Sequence, residues 1–158
     1  MNSKIWALVR IALGLIFLWA FFDKVFGLGF ATKASLSWLS GGSPTTGFLS
    51  HASGPFGSYF QSLAGSPIID WLFMLSLLGL GVALIFGIGL KLAGWGGAVL
   101  MILMWAALLP VENHLFIDEH IIYALVLIGF ATSDVGSSWS MRAWWKNTGP
   151  VMRHPFLG

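Results

Sequence analysis

Residues Pro67–Leu109 read PIIDWLFMLSLLGLGVALIFGIGLKLAGWGGAVLMILMWAALL, a run broken by charge only at Asp70 and Lys91. A helix needs roughly 20 mostly apolar residues to cross the ~30 Å hydrocarbon layer of a bilayer. This run is long enough for two crossings that turn back on each other around Lys91. We place them at Pro67–Leu90 and Leu92–Leu109.

Working outward, Ile5–Phe26 and Phe116–Val135 have the same character. The first is not read as a cleaved leader, because Arg10 interrupts its apolar core and no small-x-small site follows. The last has a clean apolar core only over His120–Ala131, so its acidic start is expected at or just below an interface. The whole chain agrees: 57% of its 158 residues are hydrophobic, 9% are charged, and the mean hydropathy is +0.84. So few charges cannot coat a water-facing surface, since soluble domains carry about 25%.

Orientation follows from the basic residues beside each span, which collect on the cytoplasmic side. With the N-terminus inside, Lys4, Arg10, Lys91, Arg142, Lys146 and Arg153 lie inside, against Lys24 and Lys33 outside. Trp6, Trp71, Trp95, Trp139, Trp144 and Trp145 fall near span ends, as interfacial anchors do. The expected fold is therefore all-α. It is one domain over residues 1–158, an integral membrane four-helix bundle with both termini inside. Its first extracytoplasmic loop, about Gly27–Ser66, is long. That loop is rich in Gly, Ser, Thr and Pro yet holds Trp38, Phe48, Phe56, Tyr59 and Phe60, too many aromatics for a plain linker. Short interfacial helices are expected at Ala31–Leu39 and Tyr59–Ala64.

Small residues give packing expectations. Gly79, Ala83 and Gly87 share one helix face, and Gly94, Gly97 and Ala98 answer them, which predicts a close hairpin between the middle spans. Arg10 to Lys24 forms one stripe on the first span and His120 to Asp134 another on the last. Face-to-face packing would pair Arg10 with Asp134 inside and Lys24 with His120 outside. The alternative is that Arg10 reaches phosphates and Asp134 lies in water.

The polar residues that remain concentrate on the outer side. Glu112, His114, Asp118, Glu119 and His120 fall within nine positions, near Asp23 and Lys24 at the end of the first span. Asp118 suits the N-cap of the last span. Donor types for a metal are present in His114, His120, Glu112 and Asp118, but their spacing matches no compact motif, so no metal is expected. Lys24 and His120 instead suit an anion at a helix N-terminus. Trp19, Phe22 and Tyr123, with His114 nearby, suit a flat quinone ring, and Asp23, Glu112 or Asp118 suit proton exchange. The chain has no cysteine, so electron transfer requires a bound cofactor, a substrate or a partner. No basic cluster marks a nucleic-acid surface.

Several of these residues also resemble the DoxX family, and its DoxD branch most closely. The matching segments are Arg10–Phe30, with Gly14, Phe17, Trp19, Asp23, Lys24, Gly27 and Gly29. The loop Gly41-Gly42-Ser43-Pro44-Thr45-Thr46-Gly47-Phe48-Leu49 follows, then Gly87–Ala93, Met101–Trp105 and Asp118–Leu125. The resemblance implies a four-helix membrane bundle in the prokaryotic cytoplasmic membrane. It also implies the membrane subunit of a thiosulfate:quinone oxidoreductase, which joins two thiosulfates into tetrathionate, reduces quinone and works with a DoxA-type small subunit. Many relatives carry a carboxylate in the second span, where this chain has only Ser76 between Asp70 and Lys91. Competing expectations are a non-catalytic anchor for a redox partner, or a small transporter or lipid-binding protein that could form homo-oligomers.

Overall fold

The computed structural model describes residues 3–111, 114 and 116–154, and among these it is all-helical. In chain order the helices are α1 (Ser3–Phe26), α2 (Thr46–Leu49), α3 (Gly57–Ser62) and α4 (Pro67–Phe86). They continue with α5 (Leu90–Leu108), α6 (Glu119–Thr132), α7 (Arg142–Lys146) and α8 (Gly149–Arg153). Helices α1, α4 and α5 are long and apolar enough to cross a membrane. Helix α6 is apolar but has 14 residues, about 21 Å at 1.5 Å per residue. The helix expected over Phe116–Val135 is therefore shorter at both ends. Asp118 caps one end, and at the other Ser133 takes extended backbone and closes the helix.

The helices pair as α1 with α4 and α5 with α6, antiparallel in both cases. Missing side chains set this pairing. A Cβ built at Gly81 would stand 2.9 Å from the Leu18 Cβ, and one at Gly14 would stand 2.9 Å from the Ile85 Cγ1. On α5, Gly94 lies against Leu127 and Ala131, and Gly97 against Leu80 and Leu127. Two expectations are corrected here. The closest approach is not the α4–α5 hairpin, because Gly79 faces open space and α5 turns its glycines mainly to α6. Nor do α1 and α6 pack along their lengths, since each already has its close neighbour. They meet at one end, where the rings of Trp6 and Phe130 stand edge to face 6.2 Å apart.

All four longer helices contribute to one apolar core, which includes Leu13, Phe17, Met74, Leu77, Leu84, Met101, Leu127 and Phe130. Gly87 (φ 66°) ends α4 in the left-handed conformation and Gly89 (φ 57°) opens α5 in the same way. That makes the turn between them three residues long, centred on Ile88 rather than Lys91.

The loop after α1 folds back over one end of the bundle. Two 3₁₀ turns, Ala34–Leu36 and Trp38–Ser40, replace the helix expected over Ala31–Leu39, and α3 lies within the expected Tyr59–Ala64 region but begins at Gly57. Trp38 stands against Trp71 with ring centroids 4.6 Å apart. Leu49, Ala52 and Phe60 form a small second core with Ala107 of α5. The loop is thus a packed cap rather than a flexible linker.

Candidate functional site

At the opposite end from the loop cap, Arg10 is fully buried in α1. It does not pair with Asp134. Its Nε donates to the Gly136 carbonyl at 3.0 Å, and its two terminal nitrogens reach four more carbonyls, those of Leu84, Ile85, Ser138 and Trp139. A guanidinium has five N–H donors, so all five are matched. Two of the acceptors are carbonyls in the last turn of α4, where helix carbonyls lack partners and the dipole favours a cation. Asp134 is exposed and binds Arg142 instead. The expected ion pair is replaced by a lock that ties α1, α4 and residues 136–139 together. Trp139 holds φ 53° there, uncommon for a residue with a side chain, and its carbonyl is one of the five.

At the Lys24 end, the carboxylates serve the loop. Asp23, fully buried, accepts the backbone N–H groups of Phe30 at 3.2 Å and Ala31 at 3.0 Å. Asp70 takes three bonds on Oδ1: the Ser43 hydroxyl at 2.9 Å, the Thr45 N–H at 3.1 Å and the Thr45 hydroxyl at 2.6 Å. Asp23 thereby tethers the start of the loop to α1. The anchoring role of Asp70 was not read from the sequence. The signal was present in the Ser43-Pro44-Thr45 turn, which carries two hydroxyls and needs an acceptor.

Asp118 caps α6 as expected, accepting from the N–H groups of His120 at 3.0 Å and Ile121 at 3.4 Å. Its other oxygen lies 2.9 Å from the His120 Nδ1. Nδ1 carries the proton of that bond, which leaves Nε2 as the ring's other face. His114 has the reverse arrangement. Its Nδ1 accepts from the N–H groups of Phe116 and Ile117, each at 3.1 Å, and so carries no proton. Asp118, Glu119 and His120 place donor atoms within 4.8 Å of one another, but the cap already occupies the Asp118 carboxylate. Glu112 lies outside the described residues.

Lys24 is where the structure departs furthest from the expected site. Its side chain lines a cavity of about 340 Å³ under the loop cap, between α4 and α5. The lining includes neither His120, Asp118 nor Tyr123. Phe48, Leu49, Phe60 and Leu63 of the loop roof it, and Ile69, Phe73, Val99 and Met104 form its walls. The Lys24 Nζ lies 5.7 Å from the centre of the Phe73 ring, a cation–π distance. Two hydroxyls also line the cavity, but both are engaged: Thr45 donates to Asp70, and Ser76 donates to the Leu72 carbonyl at 2.7 Å. The ammonium is therefore the one side-chain donor in the described lining without a hydrogen bond to a protein acceptor, although the Asp23 carboxylate acts on it electrostatically.

The expected aromatic wall of Trp19, Phe22 and Tyr123 does not assemble. Trp19 and Phe22 share a shallow outward face of α1, with Trp19 edge-on to Phe30 and Phe22 stacked on Phe26. Tyr123 packs against the bundle core from α6. The aromatic residues that line the cavity together with Lys24 are instead Phe48, Phe60 and Phe73, two of them from the loop.

A search of family models, of curated proteins and of solved structures gives no match to this chain.

Proposed function

We propose that the chain is the quinone-reactive membrane subunit of a thiosulfate:quinone-type oxidoreductase in the prokaryotic cytoplasmic membrane. In this reading it is a four-helix bundle with both termini inside, and the Lys24 end faces outward. The observation that carries the reading is Lys24: a single cationic donor without a hydrogen-bonded protein acceptor, in an apolar cavity walled by three phenylalanines. Ligand sites are mostly apolar with a few placed polar groups. A quinone ring needs flat apolar walls and a donor for one carbonyl, and these residues fit it.

The quinone supplies the two-electron acceptor chemistry: two thiosulfates, one quinone and two protons give tetrathionate and quinol. Phe48, Phe60 and Phe73 hold the ring and exclude water. The Lys24 Nζ would donate to a ring carbonyl of a bound quinone and would stabilise negative charge there, an effect strengthened in a dry site. Asp23 and Asp70 hold the roof in place. The sulfur chemistry falls to a DoxA-type small subunit docked outside, which accords with the resemblance and with the lack of cysteine.

The test is thiosulfate-dependent reduction of a soluble quinone by purified protein, alone and with the product of the neighbouring gene, in native lipid. We expect a rate with the partner present and its loss in Lys24→Met. Absence of any rate in both preparations rejects the enzyme. A non-catalytic anchor that holds a lipid in the same cavity is the competing reading, and it predicts binding without turnover.

A further inference from the structure

The Lys24 cavity does not end at α4 and α5. Leu72, Ser76 and Gly96 line it and also line a second, larger groove of about 720 Å³ that continues between the same helices. The groove passes Gly79 and Ala83 and reaches Gly89 and Trp145 near the other end of the bundle. Between Ile69 and Ala83 the two hollows together follow about 21 Å of α4 at 1.5 Å per residue. They form one apolar channel along the outside of the bundle, with a cation at one end.

From this we infer that the α4–α5 groove is the seat of the isoprenoid tail of a membrane quinone, with Gly79 and Gly96 as the residues that keep it open. The inference rests on the quinone reading for the identity of the head group. Three observations select a single chain as occupant. The groove is continuous with the cavity that holds the Lys24 ammonium. Its lining runs from Phe48 and Leu63 of the loop at one end to Trp145 of α7 at the other, a length that suits an extended chain. And a Cβ built at either Gly79 or Gly96 would meet nothing within 4 Å. These glycines are not needed for contact between the protein's own helices, unlike Gly14, Gly81, Gly94 and Gly97. Their missing side chains leave room for something else.

That last point selects the test, since a side chain added at either position starts in open space. The full-length protein in nanodiscs, wild type and with Gly79→Phe or Gly96→Phe, is titrated with three probes. These are a quinone with a long isoprenoid tail, the same quinone ring with only a methyl group, and a polyprenol of the same length. Unfolding temperature and oligomeric mass are recorded for each variant. We expect the wild type to bind the long-tailed quinone at least about tenfold more tightly than the tail-less one, a difference of about 1.4 kcal/mol. Both substitutions should abolish that advantage. Gly79→Phe, outside the Lys24 cavity, should leave tail-less binding and unfolding temperature unchanged, whereas Gly96→Phe, at a residue that also lines that cavity, should weaken the tail-less quinone as well. Equal affinity for the two quinones, or variants that keep the tail preference, overturns the tail seat while leaving the Lys24 ring site standing. Polyprenol binding that the glycine variants abolish, with no binding of either quinone, keeps the chain seat and overturns the quinone reading instead. A change in oligomeric mass in the variants, with ligand binding unchanged, assigns the groove to a second copy and overturns the proposal.

Discussion

Asp70 holds Thr45 at two points, accepting both its backbone N–H at 3.1 Å and its hydroxyl at 2.6 Å on a single carboxylate oxygen. One acid in the first turn of α4 thus fixes the roof of the Lys24 cavity. Asp70→Ala should loosen residues 43–49 and cost about 1–3 kcal/mol, the range for stranding buried polar partners. Hydrogen exchange should show faster exchange confined to the loop, with α1 and α5 unchanged. Uniform exchange across the protein would contradict a local tether.

Arg10 predicts a different failure. Arg10→Met strands five carbonyls at once and should lower stability by at least about 3 kcal/mol, since each buried unpaired group costs about 1–3 kcal/mol. Arg10→Lys should recover only part of this, because an ammonium offers three donors and no planar fork. Thermal unfolding in detergent measures the order wild type, Lys, Met. Limited proteolysis should open first near residues 136–141 in both variants.

The glycines separate into two groups with opposite expected behaviour. Gly81→Leu forces a side chain into Leu18 and should destabilise by about 1–3 kcal/mol or rearrange the α1–α4 pair, as overpacking does. Gly79→Leu meets open space and should leave unfolding within about 0.5 kcal/mol of wild type. Equal losses at the two positions would refute the packing described here.

Asp118→Ala removes the cap of α6 and should cost about 0.5–2 kcal/mol. The same change frees the His120 Nδ1, so nitrogen NMR should report a changed tautomer at His120 and none at His114, whose Nδ1 partners are backbone N–H groups.

The architecture was largely open to inspection in the sequence, and the site was not. Length and hydropathy locate helices because burying or immersing an apolar segment is a property of the segment itself. The Asp118 cap was visible for the same reason, being a contact between residues two and three apart. Partner choice between helices was misread, since the Gly79, Ala83 and Gly87 stripe and the Gly14 and Gly81 contacts look alike without knowing which neighbour is present. The charged residues were misread for a related reason. Arg10 and Asp134 invite pairing as opposite charges, yet backbone carbonyls at a helix end and a turn offered Arg10 more bonds than one carboxylate could. Lys24 stood out in the sequence as a cation at the end of an apolar span. The direction of its side chain depended on a loop whose aromatic residues reach it only after the cap has folded.

The Arg10 lock also bears on how the protein is made. Its Nε partner, the Gly136 carbonyl, follows it by 126 residues, and Ser138 and Trp139 come later still. Until those residues have been added, the guanidinium has at best the α4 carbonyls of Leu84 and Ile85 for partners. A chain halted before Gly136 would therefore lack three of the five carbonyls that satisfy Arg10 in the finished fold, those of Gly136, Ser138 and Trp139.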